Sequence, residues 1–444
     1  MPHSRPLQRK IWDIAWPAIL SNISIPLLGL VDTAILGHLD NTRYLGAVAI
    51  GASILSFLYW GFSFLRMGTT GLVAKASGAG LRQRELEVLL QSAVLALLLA
   101  VLVILLHRYW LDLGLYLMDP GPSIAPLAKS YTYIRIYSAP VVLVTYAVVG
   151  WFIGRQNTRW PMVIVVITNI VNVLLDLLFI VVLDWKSDGA AYATLCAEYL
   201  GGAVAIYAVI HSLKYRPDGA LLKRLREWRQ YRELLASNRY LFVRTMCLLF
   251  SFAFFTAQSA RFGEDQLAAN AIMLNLLLLA AYAMDGFAYA AEALSGHAIG
   301  AGRLQEFYAA VKACWQWSLL SAVGLSAIFA AADQLLFPLF TDHEPVRYLL
   351  REHLLWLALM PLVAVTSYLL DGVFIGTAMT SYMMHSMLFS LLVVYLPAWY
   401  LLLPQGNDGL WLAFLLFNAA RGISLGLCYW YLCHQGRWLQ PTTS

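Results

Sequence analysis

The sequence contains few charged residues. Only 12% of its 444 residues are Asp, Glu, Lys or Arg, whereas 60% are apolar. Soluble domains carry about 25% charged residues, so this chain lacks the charge that would cover a soluble surface. Its apolar residues also occur in stretches of about 20 or more, long enough for a helix to cross the hydrocarbon core of a bilayer. The composition therefore excludes a soluble enzyme, a nucleic-acid binder and a disordered scaffold. It indicates a polytopic membrane protein.

The sequence also lacks the motifs of metal, redox and nucleotide chemistry. Its five cysteines lie in apolar stretches without CxxC or CxxH spacing, so we interpret them as small packing residues. There is no GxxxxGK[ST] segment, which argues against an ATP-driven pump. Because no metal-ligand spacing or nucleophile arrangement is recognisable, we expect no enzymatic activity, no resident metal and no cofactor.

Twelve apolar segments account for nearly all of the chain and predict an all-α protein with twelve transmembrane helices. Their approximate limits are 11–38, 44–75, 86–107, 126–154, 161–183, 189–211, 239–262, 267–298, 306–330, 345–376, 381–403 and 409–433.

The distribution of basic residues indicates the orientation of this bundle. Lys75, Arg82, Arg155 and Arg159 lie in alternate loops, on the same side as the basic N-terminus, whereas the intervening loops hold mainly acidic residues. The positive-inside rule places such basic loops in the cytoplasm. We therefore expect a multi-pass protein of the inner (plasma) membrane with both termini cytoplasmic.

Short motifs of the first half of the chain recur in the second half at one constant offset. Gly78-Ala79-Gly80 returns as Gly300-Ala301-Gly302, and the Gly150–Gly154 motif returns as Gly372–Gly376. Each half then holds six spans, so the halves are parallel repeats. We expect an N-terminal lobe over 1–213 and a C-terminal lobe over 239–444. Two such lobes around a central cavity are typical of a secondary transporter that works by alternating access.

The connector between the lobes, 214–238, is rich in basic residues. Leu221, Leu225, Trp228 and Leu235 follow one another at helical spacing within it. We interpret the connector as a cytoplasmic amphipathic helix that lies on the anionic inner leaflet of the membrane.

Polar residues inside the spans of the N-terminal lobe suggest an ion site. Asp32, Asp176 and Thr194 are predicted at one depth, and Asn172 shares a helical face with Asp176. Pro26, shortly before Asp32, removes a backbone hydrogen bond and permits span 1 to bend. One interpretation is a structural cluster that pins three helices. We favour a coupling site for H⁺ or Na⁺, because charges within a span are costly and are usually functional.

The C-terminal lobe has its own charged residues within the spans. Counting residues from the ends of spans 7 and 8 places Arg244 and Asp285 at equal depth, so we expect them to form an ion pair. Glu292 is either a mouth residue or a substrate ligand, and Asp371 remains open between a structural role and substrate binding. Arg66 in span 2 either extends to water or balances a carboxylate.

With these features the chain resembles the multidrug and toxic compound extrusion (MATE) transporters, and within them the DinF-type branch. The resemblance rests on the stretches Pro26–Thr33, Asn169–Asp176, Asp188–Thr194 and Asp285–Ala290 and covers almost the whole chain. It implies export of cationic or amphipathic organic compounds in exchange for H⁺ or Na⁺.

The resemblance also implies that Asp32, Asn172, Asp176 and Thr194 form the cation site of the N-terminal lobe. Another branch of the family, the NorM type, has an acidic residue in span 7. This sequence has none from residue 241 to 262, although Asp371 matches a family acid in span 10. We therefore expect H⁺ coupling through the N-terminal lobe.

Two other transporter classes fit the sequence less well. A lipid-linked sugar flippase of the same superfamily is expected to need a basic cavity, whereas the charges within the spans here are mostly acidic. A major-facilitator transporter normally carries an Asp followed by Arg after span 2, and the segment Lys75–Arg82 has no acid. The expected partners are small organic cations or amphipaths and membrane lipid, without nucleic acid, and we expect a monomer.

Overall fold

The computed structural model describes residues 6–37, 39, 41–119, 121–213, 219 and 221–439. Within these ranges the chain is α-helical and has no strand. Twelve of the described helical segments are long and apolar enough to cross a membrane, which confirms the predicted fold class. These spans 1 to 12 are Leu7–Gly37, Arg43–Gly78, Arg82–Leu105, Ala125–Gly154, Arg159–Val182, Lys186–Ser212, Trp228–Phe262, Glu264–Gly300, Leu304–Ala330, Leu354–Gly376, Thr380–Leu401 and Leu403–His434.

Several spans contain breaks in the regular α-helix. Span 2 consists of the helices Arg43–Gly61 and Phe64–Gly78. Span 4 changes to a 3₁₀ turn at Ile136–Ser138, just before Pro140, whose ring cannot donate a backbone hydrogen bond. Spans 5 and 11 contain the π-helical segments Leu177–Val182 and Ser390–Tyr395. Because π-helical turns are frequent at functional sites, the segment in span 5 marks a region of interest.

Shorter helices lie between the spans. They are His107–Met118, Leu221–Arg226, Ala332–Leu335, Phe337–Phe340 and Glu344–Glu352. The last of these was predicted as the start of span 10. It is instead a separate helix, which ends at Glu352 before span 10 begins at Leu354.

The connector differs from the single amphipathic helix that we expected. Its residues 214–218 and 220 lie outside the described residues. After the short helix Leu221–Arg226 comes the 3₁₀ turn Trp228–Tyr231, and residues 232–238 already belong to the helix of span 7. Leu221 and Leu225 pack into an apolar cluster of the N-terminal lobe. Part of the apolar face assigned to the membrane therefore packs against protein.

The outer surface of the bundle is apolar. Large side chains such as Leu105, Val182 and Leu401 are 71%, 70% and 75% exposed. Contiguous exposed apolar surface of this kind is unsuited to water and marks contact with lipid.

Equivalent glycines show that the two halves repeat in three dimensions. A methyl group on Gly150 would collide with the backbone carbonyl of Arg66, and one on Gly372 would collide with that of Ala288. Gly372 and Ala288 are the equivalents of Gly150 and Arg66 in the second repeat of the sequence. The same helix-to-helix approach is therefore built twice, once in each lobe.

A reciprocal contact joins the two lobes. Gly78 packs against the backbone of His297, and Gly300 packs against that of Lys75. Because Gly300 and His297 are the repeat equivalents of Gly78 and Lys75, the two contacts are related by the pseudo-twofold axis. The lobes consequently meet at the end of the bundle where spans 2 and 8 finish.

Span 1 makes contact with both lobes. Trp12 packs edge-on against Phe287 of span 8, with the ring centroids 5.3 Å apart. Further along the span, the backbone carbonyl and hydroxyl of Ser24 accept hydrogen bonds from Asn169 of span 5, each at 3.2 Å. Pro26 follows the last of these contacts and precedes Asp32, so the helix can bend between its anchored part and its carboxylate.

Candidate functional site

The structure brings together the carboxyl groups of Asp32 and Asp176. Asp32 lies on span 1, and Asp176 is the last α-helical residue of span 5 before the π-helical segment. Their carboxyl groups lie close enough to interact directly. Since a carboxylate only accepts hydrogen bonds, a hydrogen bond between the two groups would require one of them to hold a proton. Asp176 is buried, whereas Asp32 is partly exposed. The pair is therefore a site where one proton can be shared and exchanged.

Asn172 and Thr194 complete this site. In the amide orientation that satisfies both neighbours, Asn172 donates to Asp176 Oδ2 at 3.1 Å. Its oxygen then accepts from Thr194 Oγ1 at 3.0 Å. All four residues that we assigned to the N-terminal lobe site thus lie in one connected group. The same oxygens could contact a small cation, because hard cations prefer carboxylate, amide and hydroxyl oxygens.

Arg135 and Glu198 form a second layer that sequence reasoning missed. Arg135 Nη2 lies 2.7 Å from Glu198 Oε1, and Arg135 Nη1 donates to the Tyr131 hydroxyl at 3.0 Å. Arg135 also interacts electrostatically with Asp32 and Asp176. Both charges lie inside predicted spans. The rule that identified Asp32, that a charge within a span is functional until shown otherwise, could therefore have found them.

The C-terminal lobe pairs its charges differently from our expectation. Arg244 forms its ion pair with Asp371, and Arg421 Nη2 lies 2.9 Å from the same carboxylate. The prediction that Arg244 pairs directly with Asp285 is therefore wrong. Asp285 interacts with Arg244 and Arg66 electrostatically, without forming an ion pair in the described part of the chain. Two arginines already compensate Asp371, so this carboxylate is poorly suited to bind a cation.

Glu292 and Arg66 pair across the two lobes. Arg66 Nη1 lies 3.3 Å from Glu292 Oε2, and the Glu292 side chain is 1% exposed. The Arg66 guanidinium also lies over the ring of Tyr289, 4.6 Å from its centroid. Of the two roles considered for Arg66, balancing a carboxylate is the one that the structure shows. Glu292 is accordingly occupied by a cation of the protein itself.

Comparison with known proteins agrees with this two-lobed architecture. The profile of the MatE family matches residues 17–178 and 241–401, once in each lobe. The DNA damage-inducible protein F of Escherichia coli (strain K12) is 38% identical over 441 residues, which cover 98% of this chain and 94% of that protein. The probable multidrug resistance protein NorM of Thermotoga maritima is 24% identical over 77% of this chain and 74% of its own length.

Solved structures share the fold over the whole length. A MOP superfamily transporter from Pyrococcus furiosus superposes with a TM-score of 0.87 at 18% identity, covering 98% of each chain. A MATE transporter of Vibrio cholerae gives a TM-score of 0.85 at 21% identity, covering 98% of this chain and 99% of its own. These findings confirm the resemblance drawn from the sequence and do not favour the flippase or major-facilitator alternatives. The chain therefore belongs to the MatE family of multidrug and toxic compound extrusion transporters.

Proposed function

We propose that this transporter is an H⁺-coupled antiporter that exports cationic or amphipathic organic compounds. The observation that carries the proposal is the close approach of the buried carboxyl group of Asp176 to that of Asp32, an arrangement in which the two groups can share one proton. The C-terminal lobe offers no comparable carboxylate pair among the described residues, because Asp371 and Glu292 are held by arginines. Coupling is accordingly assigned to the N-terminal lobe.

Competition for one negative charge supplies the mechanism. When a proton enters, it removes one of the two negative charges of the carboxylate pair, and the attraction for a cationic substrate falls. When the proton leaves, the pair can again hold a cation. Proton and substrate thus exclude each other, which is the requirement for exchange. One elementary charge moving through 100 mV supplies about 2.3 kcal/mol, before any pH gradient is added.

In this mechanism, span 1 couples protonation of the aspartate pair to a change in the position of the helix. Its first half is anchored to span 8 through Trp12 and Phe287, and Asn169 holds Ser24. The segment after Pro26 carries Asp32 and is the part that can change position when the carboxylate gains a proton. Bending there would narrow the cavity of the N-terminal lobe and expel the substrate.

The basic loops support an orientation with both termini in the cytoplasm of a cell and with the protein in its inner membrane. In this orientation, the glycine contacts between spans 2 and 8 lie at the cytoplasmic end. The two lobes would then be in contact at the cytoplasmic end in the conformation described.

Transport by purified protein in liposomes tests the proposal. A pH gradient and a Na⁺ gradient are imposed separately, and efflux of a cationic dye is followed. We expect the pH gradient to drive efflux and Asp32→Asn to abolish it, because the amide cannot exchange a proton. Asp13→Asn is the matched control. Asp13 lies on the same helix as Asp32 but near the start of that helix, where its carboxylate lies 3.9 Å from the guanidinium of Arg159. Efflux by Asp32→Asn at the wild-type rate would overturn the assignment, and drive by Na⁺ alone would exclude H⁺ coupling.

A further inference from the structure

We propose that Arg135 is an exchangeable counter-ion of the coupling site, shared between Glu198 and the Asp32–Asp176 pair. In this proposal, which rests on the proposed function above, Arg135 stays with Glu198 while the aspartate pair holds its proton. When the proton leaves, Arg135 turns toward the aspartates until the cationic substrate replaces it. Arg135 and Glu198 are thus positioning residues that set the pH range of exchange.

The contacts of the pair leave room for such an exchange. Arg135 uses only its two terminal nitrogens, on Glu198 at 2.7 Å and on the Tyr131 hydroxyl at 3.0 Å. Its Nε is buried without a hydrogen-bond partner, as are Oε2 of Glu198 and Oδ1 of Asp176. Buried polar atoms without partners are costly in a static structure. Here each partner has an unused hydrogen-bonding atom that an alternative arrangement could satisfy.

The backbone places both residues beside the coupling site. Glu198 lies one helical turn after Thr194 on span 6, so the two side chains share a face. Arg135 is the last α-helical residue before the 3₁₀ break of span 4, and its carbonyl accepts a hydrogen bond from the Tyr59 hydroxyl at 3.3 Å. The backbone at Arg135 is therefore fixed by a neighbouring span, while its long side chain can still change rotamer.

The net charge of the cluster explains why Arg135 would move toward the aspartates when the proton leaves. With one proton on the aspartate pair, the three acids and Arg135 carry one net negative charge. Loss of the proton leaves two net negative charges around one arginine, and an incoming organic cation restores the earlier balance. The titratable groups that face this cluster come from several spans. They are Asp32, Tyr59, Tyr131, Tyr146, Asp176 and Glu198.

Replacement of Arg135 and replacement of Glu198 should have opposite effects on the proton affinity of the aspartates. Replacing Arg135 by Gln removes a positive charge near the aspartates, so they should bind a proton more tightly. Replacing Glu198 by Gln frees Arg135 for the aspartates, so they should bind a proton less tightly. A pair that only holds spans 4 and 6 together would lose stability in both variants and would not move the pH dependence in opposite directions.

The experiment measures the rate of dye efflux as a function of pH in liposomes, together with the proton release caused by adding dye to detergent-solubilised protein. We expect Arg135→Gln to move the pH midpoint upward and Glu198→Gln to move it downward, each by about 1 pH unit or more. Arg135→Lys should stay near the wild-type midpoint. The double variant should lie between the single variants, and it guards against a single variant that does not fold.

The matched control is Glu85→Gln. Glu85 pairs with Arg155 at 3.0 Å in the same lobe but away from the aspartates. Its replacement should leave the midpoint unchanged. Unchanged midpoints in the Arg135 and Glu198 variants, or shifts in the same direction, would overturn the proposal while leaving proton coupling intact. Absence of proton-driven efflux in the wild type would instead reject the proposed function, and this inference with it.

Discussion

Arg66 of span 2 and Glu292 of span 8 form an ion pair 3.3 Å long that joins the two lobes. Thr70, whose equivalent in the second repeat is Glu292 itself, also contacts the Glu292 carboxyl group. Residues at equivalent positions of two repeats can touch only near the axis that relates the repeats. The ion pair therefore lies close to the pseudo-twofold axis, on the same two spans as the reciprocal glycine contacts. Any change that separates the lobes at this end has to break it.

The first prediction concerns the stability supplied by this pair. Arg66→Ala or Glu292→Ala leaves a lone buried charge, which costs about 3–5 kcal/mol. The double replacement by Ala should be less harmful than the worse single replacement. Thermal unfolding in detergent checks this order. Arg303→Ala is the control, since its pair with Glu306 is exposed and should contribute little. Strictly additive losses would show that the two residues do not interact.

The second prediction separates Asp371 from ion coupling. Asp371→Asn leaves Arg244 and Arg421 without their shared carboxylate, so the yield of folded protein should fall. Protein that does fold should retain efflux driven by a pH gradient, because the coupling site lies in the other lobe. The purified variant is compared with Asp32→Asn in the same liposome assay. Loss of coupling in well-folded Asp371→Asn protein would place a coupling ion in the C-terminal lobe.

The depth of a residue in the membrane and the composition of a site are predictable from the sequence, whereas the partners of the side chains are not. Counting residues from span ends places Asp32 and Asp176 in one layer, and the structure has them in contact. The same counting leads to the wrong partner for Arg244. It assumes that spans joined by a short loop face each other, but span 8 packs mainly against spans 1, 2, 9 and 10. Helix rotation and neighbour choice depend on packing over the whole bundle.

The missed pair of Arg135 and Glu198 has the same origin. The two residues lie 63 positions apart on spans 4 and 6, and no motif connects them. Sequence can flag each as a costly charge within the membrane. Only the three-dimensional arrangement shows that they compensate each other next to two aspartates.

The third prediction addresses the connector. After replacement of the native cysteines, a cysteine introduced at Arg226 should react with a membrane-impermeant reagent only when the cytoplasmic side is accessible. Arg226 ends the helix Leu221–Arg226 within the basic connector, which we expect in the cytoplasm. Labelling of intact cells is compared with labelling of inverted vesicles. Reaction from the outside alone would reverse the proposed topology.

The fourth prediction tests the reciprocal glycine contact between the lobes. A methyl group at Gly78 would meet the backbone of His297, which cannot move aside as a flexible side chain could. Gly78→Ala should therefore force spans 2 and 8 apart, at a cost of about 1–3 kcal/mol. The same holds for Gly300→Ala, whose methyl group would meet the backbone of Lys75.

The consequence of Gly78→Ala should extend to function, because this contact closes one end of the bundle. A weakened closure favours conformations in which the lobes part at that end, so a cysteine-reactive probe should reach the interface more readily. Gly324→Ala is the matched control, since that helical glycine has no atom within 4 Å of an added methyl group. There Ala should be neutral or stabilising by about 0.5–1 kcal/mol, because it lowers the entropy cost of forming the helix. Equal melting temperatures and equal probe access in the Gly78 and Gly324 variants would mean that the lobes are not held together by this contact.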